Sequence, residues 1–248
     1  MTMYKVVFIR HGQSIWNKKK LFTGWTDVDL TQLGIKEARK AASVLKENGN
    51  CFDIAFTSYL KKAIRTLWII LDEMDIMWLT VTKTWKLNER HYGALQGLSK
   101  PGTAKKIGKE KVHMWRRSFK ARPPAVDRKD DRFPGNDPRY GGLDIGDLPV
   151  AESLKDVQDR VVPYWEKEIV PLVRQGKKVL VASHGNCLRA LVKYIHRIDD
   201  KDIDDLNIPT GIPFVHEFDR DFKSISHYYL GDTKKAEKAA EKVAGEIG

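Results

Sequence analysis

Apolar residues along the chain follow two different periods. Continuous apolar runs of about four to eight residues are typical of buried strands, and apolar residues spaced three or four positions apart are typical of helices. Strand-like runs lie at residues 4–9, 53–58, 79–84 and 177–183. Helical spacing occurs over residues 31–48, 60–74 and 153–173, and from about residue 186 onward. This alternation predicts an α/β fold, a three-layer α/β/α sandwich with a mostly parallel central sheet.

Other segments depart from this alternation. Residues 214–218 and 225–230 have the pattern of an edge hairpin. Residues from about 120 to 150 are rich in Pro, Gly, Asp and Arg, and we expect a long loop or insertion there, of the kind that forms a lid or stays disordered. Residues 233–248 alternate Ala with Lys and Glu, which predicts a weak helix in a mobile tail. We interpret all 248 residues as a single domain.

The composition is that of a globular protein. Hydrophobic residues make up 42% and charged residues 31%, which excludes disordered and collagen-like chains. The two cysteines, Cys51 and Cys187, are too few for a disulfide-framed secreted domain and favour a reducing compartment. No apolar run approaches the roughly 20 residues that cross a bilayer, and the first strand begins too early to leave room for a signal peptide. We therefore expect a cytoplasmic protein.

The chain is strongly basic. It has 44 Lys and Arg against 33 Asp and Glu, a net charge of +11. Such an excess is compatible with nucleic acid, an acidic membrane or small anions as partners. The basic pairs are scattered, whereas nucleic-acid-binding proteins usually gather them on one element with interleaved aromatic residues. We expect no nucleic-acid or membrane partner, and a small phosphorylated substrate.

Two histidines directly follow apolar strands. His11 follows Arg10 at the end of the first strand, and His184 precedes Gly185 at the end of the last parallel one. Ligands of open α/β sheets bind beyond the carboxyl ends of the strands, so the two histidines would meet there if their strands are neighbours. A neutral imidazole is a competent nucleophile toward phosphorus, and Arg10 offers a planar fork to phosphoryl oxygens. The pair favours phosphoryl transfer, although one histidine alone would more often be a buried core residue.

The segment around His11 resembles the signature of the histidine phosphatase superfamily. It reads Arg10-His11-Gly12-Gln13-Ser14-Ile15-Trp16-Asn17. Five further segments resemble one family within this superfamily: residues 21–27, 87–93, 115–118, 184–186 and 206–211. As an ordered set they resemble the 2,3-bisphosphoglycerate-dependent phosphoglycerate mutases across nearly the whole chain.

The resemblance implies a role for each matching residue. His11 would be the phosphorylated nucleophile, and Glu89 the general acid and base. Arg10 and His184 would stabilise the transferring phosphoryl group. The other implied substrate contacts are Asn17, Thr23, Gly24, Arg90, Tyr92, Lys100, Arg116, Arg117, Gly185 and Asn186, and Arg10 and Glu89 belong to the binding set as well. Lys62 stands where the family normally has Arg, and we expect Lys62, rather than Arg65, to face the site.

The implied activity is the interconversion of 3-phosphoglycerate and 2-phosphoglycerate in glycolysis and gluconeogenesis. A phosphohistidine primed by 2,3-bisphosphoglycerate would carry the phosphoryl group, and small phosphorylated carboxylates would be the substrates. No carboxylate cluster with Mg²⁺ spacing appears in the sequence, so we expect no metal. We expect cationic side chains to stabilise the charge of the transferring phosphoryl group instead. We also expect a homo-oligomer, either a dimer or a tetramer.

Three departures from the family pattern accompany Lys62. Gln13 stands where many members have Glu, Cys187 replaces the usual Ser, and residues 245–248 lack the closing lysine common in relatives.

Three alternative functions stay open. A phosphomonoesterase on the same fold would lack the segments at 87–93 and 115–118, which are present. A bisphosphoglycerate synthase would carry Gly in place of Ser14. A noncatalytic anion-binding protein is compatible with the charge, but intact His11, Glu89 and His184 argue against it.

Overall fold

The computed structural model describes residues 4–231 and residue 238, so the predicted tail helix falls almost wholly outside the described residues. The strands are β1 (Tyr4–Arg10), β2 (Ile54–Thr57), β3 (Thr80–Lys83), β4 (Val179–Ser183), β5 (Pro213–Phe218) and β6 (Ser224–Tyr229). The helices are α1 (Ile15–Lys18), α2 (Gln32–Glu47), α3 (Lys61–Met74), α4 (Lys100–Ile107), α5 (Lys109–Arg117), α6 (Leu154–Tyr164), α7 (Val170–Arg174) and α8 (Gly185–His196).

The six strands form one sheet in the order β3-β2-β4-β1-β5-β6. The strands β1 to β4 pair in parallel, while β5 and β6 add an antiparallel edge hairpin. This arrangement confirms the predicted α/β fold with a mostly parallel sheet and the hairpin at its edge.

Side-chain alternation along the strands builds two core layers. In β1, Val6 and Phe8 pack into one apolar cluster with α6, α7 and α8, whereas Val7 and Ile9 pack into another with α2 and α3. Successive side chains of a strand point to opposite faces, so a fully apolar strand must be covered on both sides. The helices therefore lie in two layers around the sheet.

Strands β1 and β4 are neighbours in the sheet, which is the condition for His11 and His184 to lie close together. Arg10 lies opposite Ser183 in the parallel register, and the His11 amide donates to the Ser183 carbonyl over 3.0 Å. His11 and His184 therefore leave the sheet side by side at its carboxyl edge.

The predicted helix over residues 153–173 is interrupted. Ser153 and Asp156 form a capping box at the start of α6, but a π-helical segment, Trp165–Ile169, separates α6 from α7. Pro171 has no amide hydrogen to continue the regular ladder, and a widened turn next to it removes that requirement.

The segment around residues 120–150 has little regular structure but packs against the rest of the protein. It contains three short 3₁₀ turns, and Phe133, Tyr140 and Leu148 are buried against Trp25 and Trp85. The buried apolar side chains of this irregular segment fix its position on the protein. Together with Trp25 and Trp85 they form a third apolar cluster.

Among the described residues, no helix combines the length and the apolar character needed to cross a membrane.

Candidate active site

His11 lies at the floor of a pocket at the carboxyl edge of the sheet and is 2% exposed. Its Nδ1–H donates to the Gly12 carbonyl over 2.7 Å, which leaves the lone pair on Nε2. Burial, together with the nearby charges of Lys62 and Arg10, holds the pKa of His11 well below its usual range. The imidazole is therefore neutral at physiological pH, with a nucleophilic nitrogen directed away from its backbone contact.

Gly12 permits this placement because a side chain there has no room. A Cβ atom on Gly12 would lie 2.3 Å from the Gly34 carbonyl oxygen. The Gly12 amide donates to Thr66 Oγ1 of α3 over 3.1 Å, which fixes the turn after β1. The glycine after His11 thus holds the loop against α2 and α3.

His184 lies behind His11 and is fully buried. The two ring centroids are 5.1 Å apart, and the rings meet edge to face. His184 Nε2 is 2.7 Å from Ser58 Oγ, and Nδ1 has no hydrogen-bond partner among the described residues. Burial and the charge of Lys62 hold the pKa of His184 well below its usual range.

Ser58 was missed by the sequence analysis. Its Oγ accepts the Leu60 amide over 3.1 Å, so its hydroxyl proton can be donated to His184 Nε2. In that arrangement His184 Nδ1 carries the ring proton. Nothing in the strand pattern of residues 53–58 distinguishes Ser58 from an ordinary turn residue.

Arg10 presents its guanidinium to the same pocket. Its Nη1 donates to the Ile208 carbonyl over 2.7 Å, while Nε is buried without a partner among the described residues. A Cβ atom on Gly185 would lie 3.2 Å from Arg10 Cζ, so the glycine allows the guanidinium to pass close to the first turn of α8. The unused Nε–H is a donor available to an anion.

Glu89 is held by main-chain donors. Its Oε1 accepts the amide hydrogens of Arg90 (2.8 Å) and Asn186 (3.1 Å). The side chain is buried, and a carboxylate oxygen lies within 4.8 Å of ligand nitrogens of both His11 and His184. A carboxyl group fixed at this distance can exchange a proton with an oxygen that is bonded to the transferring group.

Lys62 faces the site from the first turn of α3 and is 1% exposed. Its Nζ donates to the Gly24 carbonyl over 3.2 Å. Burial, only partly opposed by Glu89 and Asp27, lowers the pKa of Lys62 to about 8. Arg65 instead lies outside the pocket, paired with Asp29 at 2.8 Å.

The opposite wall is cationic and comes from α4 and α5. Lys100 opens α4, and Arg116 and Arg117 end α5. Arg117 Nε donates to the Asp204 carbonyl over 2.9 Å, and Arg189 of α8 donates to the Arg117 carbonyl over 3.0 Å. Arg189, which the sequence analysis missed, places a cation at the C-terminus of α5, where the helix dipole favours it.

The structure gathers most of the predicted site residues around one pocket. The predicted residues that line it are Arg10, His11, Asn17, Thr23, Gly24, Lys62, Glu89, Tyr92, Lys100, Arg116, Arg117, Gly185 and Asn186. Two predicted residues do not line it: His184 lies behind His11, and Arg90 lies behind Tyr92. The lining residues that were not predicted as site residues are Ser14, Leu21, Arg189, Asn207 and Ile208.

Arg90 supports the wall from behind instead of forming it. It is fully buried, and its Nη2 donates to the Tyr92 hydroxyl (2.7 Å) and the Arg116 carbonyl (2.6 Å). Burial acts to raise the pKa of Tyr92, but the charges of Arg90 and Arg116 outweigh it and leave the pKa below its usual value. The role of Arg90 in this geometry is to orient Tyr92 and Arg116.

One group in the pocket has metal-ligand spacing. Ligand atoms of His11, Glu89 and His184 lie within 4.8 Å of one another. Burial is the main reason that the pKa values of both imidazoles are lowered, and the charges of Lys62 and Arg10 lower them further, so these charges also oppose a divalent cation there. The residues present fit an anion better than a metal ion.

A sequence profile matches most of the chain. The profile of the Histidine phosphatase superfamily (branch 1) covers residues 6–231. This range includes all the pocket residues described above.

Solved structures share the fold at low sequence identity. The mycobacterial glucosyl-3-phosphoglycerate phosphatase complexed with VO3 has a TM-score of 0.69 and 19% identity, over 92% of this chain and 98% of its own. Bacillus stearothermophilus YhfR has a TM-score of 0.67 and 17% identity, over 89% and 94%. The product of an open reading frame from Mycobacterium tuberculosis has a TM-score of 0.64 and 21% identity, over 93% and 98%. At these identities the similarity establishes the fold.

Proposed function

This chain belongs to branch 1 of the histidine phosphatase superfamily, and we propose that within it the protein is a 2,3-bisphosphoglycerate-dependent phosphoglycerate mutase. The superfamily transfers or hydrolyses phosphoryl groups of phosphorylated substrates through a phosphohistidine, without a metal. The narrower proposal rests on one observation. The pocket that holds His11 is walled on another side by Lys100, Arg116 and Arg117.

That wall supports a substrate with two anionic groups. One phosphoryl group has to lie at His11, where Arg10 provides a donor. A carboxylate or a second phosphate on the same small molecule can then contact the α4–α5 wall. Within residues 4–231, six cationic side chains line the pocket against a single carboxylate, Glu89, and this balance suits a phosphoglycerate or a bisphosphoglycerate.

The reaction divides between His11 and Glu89. His11 Nε2 accepts the phosphoryl group: the N–P bond forms, the P–O bond breaks, and Glu89 gives a proton to the departing oxygen. In the return step Glu89 takes the proton from the attacking hydroxyl as the phosphoryl group leaves His11. Arg10, which lines the pocket, stabilises the equatorial oxygens in both directions. His184 Nδ1–H, which no described residue engages, would donate to the same oxygens once the phosphoryl group lies deep enough beside His11 to reach it. When bound, 2,3-bisphosphoglycerate supplies the phosphoryl group that first loads His11.

Ser14 supports a mutase over a bisphosphoglycerate synthase. Its hydroxyl accepts the Asn17 amide over 3.1 Å and donates to Asn17 Oδ1 over 2.8 Å. This capping box holds Asn17 at the pocket wall, and a glycine in place of Ser14 would remove both side-chain contacts.

The proposed homo-oligomer, a dimer or a tetramer, is supported by an exposed apolar surface. Trp68, on α3, is 57% exposed, and Met77 and Trp78, between α3 and the edge strand β3, are 60% and 75% exposed. Large apolar side chains clustered at an unpaired sheet edge are typical of a protein interface. A cytoplasmic location is proposed on the cysteines, since Cys51 and Cys187 are both free thiols.

The experiment that tests the proposed function measures two reactions on one preparation. A coupled assay follows conversion of 3-phosphoglycerate to 2-phosphoglycerate with and without added 2,3-bisphosphoglycerate, and a second assay follows release of inorganic phosphate. We expect mutase turnover that depends on the bisphosphate and exceeds phosphate release. Phosphate release without isomerisation would assign the protein to the phosphomonoesterases.

Lys62 is expected to set the affinity for substrate and part of its pH dependence. A charge-assisted contact contributes about 1.5–3 kcal/mol, so Lys62→Ala should raise KM roughly 10- to 100-fold. Because its pKa is near 8, Lys62 loses its charge as pH rises through that value, and kcat/KM of the parent should fall there. Lys62→Arg should keep or lower KM, because the bidentate geometry of Arg adds up to about 1 kcal/mol to the binding of an anion. Arginine stays charged at this pH, so the variant should also lose the fall in kcat/KM near pH 8.

Arg65→Ala is the matched control for Lys62, because Arg65 is three residues along the same helix but paired with Asp29 outside the pocket. It should leave KM and the pH profile unchanged. A damaging Arg65→Ala with a silent Lys62→Ala would mean that Lys62 does not occupy the anion-binding position.

Ser58 is expected to act as a positioning residue for His184. Ser58→Ala removes the hydroxyl that donates to His184 Nε2, so the imidazole no longer has a fixed tautomer with a proton on Nδ1. We expect kcat to fall about tenfold, the scale of one lost hydrogen bond, with KM changed little. Ser58→Thr, which keeps a hydroxyl, should recover part of the rate. A rise in KM at constant kcat would contradict this role.

Catalysis is expected to survive exhaustive chelation. The pocket gathers cations where a metal-dependent phosphoryl-transfer enzyme would gather carboxylates. Turnover after dialysis against EDTA should therefore equal that of the untreated protein, and vanadate should inhibit both samples as a mimic of the transferring phosphoryl group. Activity that vanishes in EDTA and returns with Mg²⁺ or Mn²⁺ would refute the metal-free mechanism.

A further inference from the structure

Glu89 lies in a stretch of buried chain outside the helices and strands. Its segment connects two short 3₁₀ turns, Trp85–Leu87 and Gly93–Leu95. The carbonyl groups of such a buried irregular chain need hydrogen-bond partners from other parts of the molecule. The groups that hold this main chain therefore fix the position of the Glu89 carboxyl.

Arg160 of α6 holds the main chain at Glu89. Its Nη1 donates to the Lys86 carbonyl over 2.7 Å, and its Nη2 donates to the carbonyls of Asn88 and Glu89, each over 3.0 Å. The Trp25 indole N–H donates to the same Glu89 carbonyl. Because the guanidinium is planar and rigid, this one side chain fixes three carbonyls of the segment relative to α6.

Glu152 orients Arg160 and holds the far end of the same segment. Its carboxylate accepts Arg160 Nε over 2.6 Å and Nη2 over 3.1 Å, and the two side chains are only 7% and 4% exposed. Glu152 Oε2 also accepts the His91 amide, and the Glu152 amide donates to the His91 carbonyl, each over 2.8 Å. A bidentate contact fixes the plane of the guanidinium, so the pair holds residues 86–91 as a unit.

Glu89 is therefore fixed at two points. Its carboxylate accepts the amides of Arg90 and Asn186, and its carbonyl accepts the guanidinium of Arg160. An ion pair that only joined two elements would need no contact with this main chain, and apolar residues of similar volume could replace it. The three carbonyl contacts instead connect the buried pair directly to the residue proposed as general acid and base.

We propose that Arg160, oriented by Glu152, is a positioning residue for Glu89: it keeps the carboxyl at the place from which a proton reaches the oxygen of the transferring group. Among the described residues, Arg160 is not one of those that line the pocket, so it acts through Glu89 and not on the substrate. A displacement of a reacting group by about 1 Å can lower a rate 100-fold. The inference rests on the proposed role of Glu89.

The first variant to measure is Arg160→Lys. Lysine keeps the charge opposite Glu152, but a single ammonium cannot reach three carbonyls. We expect kcat of the mutase reaction to fall roughly 10- to 100-fold, with KM changed less than about threefold. Phosphorylation of His11 by an aryl phosphate should stay within about twofold of the parent, because a phenolate leaves without a proton from Glu89.

Two further variants accompany Arg160→Lys, and the Tm of each is measured. Glu152→Gln keeps the volume of the side chain but weakens the bidentate contact, so it should lower kcat about tenfold with the same pattern of effects. Arg122→Lys is the matched control, because Arg122 pairs with Asp156 of the same helix but lies exposed, with 2.9 Å from its Nε to Asp156 Oδ2. It should turn over like the parent.

The deciding measurement is a double-mutant cycle with Glu89→Gln. Once the proton carrier is gone, Arg160→Lys and Glu152→Gln should each change kcat less than about threefold further, because residues that act through one group are not additive. The inference is overturned if either loss is the same with Glu89 and with Gln at this position, if Arg160→Lys raises KM at constant kcat, or if labelling by the aryl phosphate falls as much as turnover.

The cycle also separates this inference from the proposed function. A Glu89→Gln variant with unchanged kcat would refute the role of Glu89, and the inference with it. If the protein releases phosphate without isomerisation, the mutase proposal fails, but the same cycle measured on phosphate release still tests whether Arg160 acts through Glu89.

Discussion

His11→Ala is expected to abolish mutase turnover and phosphoenzyme formation together, with a loss of at least about 10⁴-fold in kcat. His11 Nε2 is the nitrogen that the structure leaves with a free lone pair, since Nδ1–H is engaged by the Gly12 carbonyl. No other described nitrogen nucleophile with this geometry lines the pocket. Incubation with labelled 2,3-bisphosphoglycerate should give an acid-labile, base-stable adduct in the parent and none in the variant.

Two further variants guard this result against a folding artefact. His11→Gln keeps the volume of the side chain and should also fail to label. His227→Ala changes a histidine on the outer strand β6 and should label and turn over like the parent. Equal labelling of parent and His11→Ala would refute the assignment of the nucleophile.

Glu89→Gln is expected to lower kcat about 10²- to 10⁴-fold, the usual contribution of a general acid and base, with a smaller effect on KM. The amide oxygen can still accept the hydrogen bonds from the Arg90 and Asn186 amides, so the pocket should keep its shape. What the variant loses is the proton that must reach the departing oxygen.

The role of Glu89 can be separated from that of His11 by changing the leaving group. An aryl phosphate departs as a stable phenolate and needs little protonation, so phosphorylation of His11 by such a donor should be nearly equal in parent and Glu89→Gln. Dephosphorylation by the hydroxyl of a phosphoglycerate should remain slow. A variant equally impaired with both donors would show that Glu89 acts on binding or structure and not as the proton carrier.

Local patterns were sufficient to predict the elements that build the pocket floor. The apolar runs at residues 4–9 and 177–183 correspond to strands β1 and β4, and each strand places a histidine at the carboxyl edge of the sheet. The family resemblance, and not the spacing of α3, selected Lys62 as the residue that faces the pocket. The strand predictions held because each depends on residues close together in sequence.

Features that depend on distant residues were not predictable. Arg189 reaches the carbonyls of Arg116 and Arg117, and Ser58 reaches His184, across more than 70 and 120 residues respectively. Neither has a local pattern that differs from that of a surface arginine or a turn serine.

The interrupted helix and the irregular segment have separate causes. Apolar spacing continues through Trp165 and Ile169, so it gives no sign of the π-helical segment that precedes Pro171. Residues 120–150 lack a period because Phe133 and Tyr140 are anchors set in irregular chain, and periodicity detects only regular elements.

The central claim is that His11 passes its phosphoryl group to a phosphoglycerate and not to water. The most direct test isolates the labelled phosphoenzyme and mixes it with unlabelled 3-phosphoglycerate, with a parallel sample mixed with buffer alone. The mutase account predicts rapid transfer of the label into bisphosphoglycerate and monophosphoglycerates, with slow release as inorganic phosphate in buffer. Label that leaves as inorganic phosphate at the same rate in both samples would contradict it.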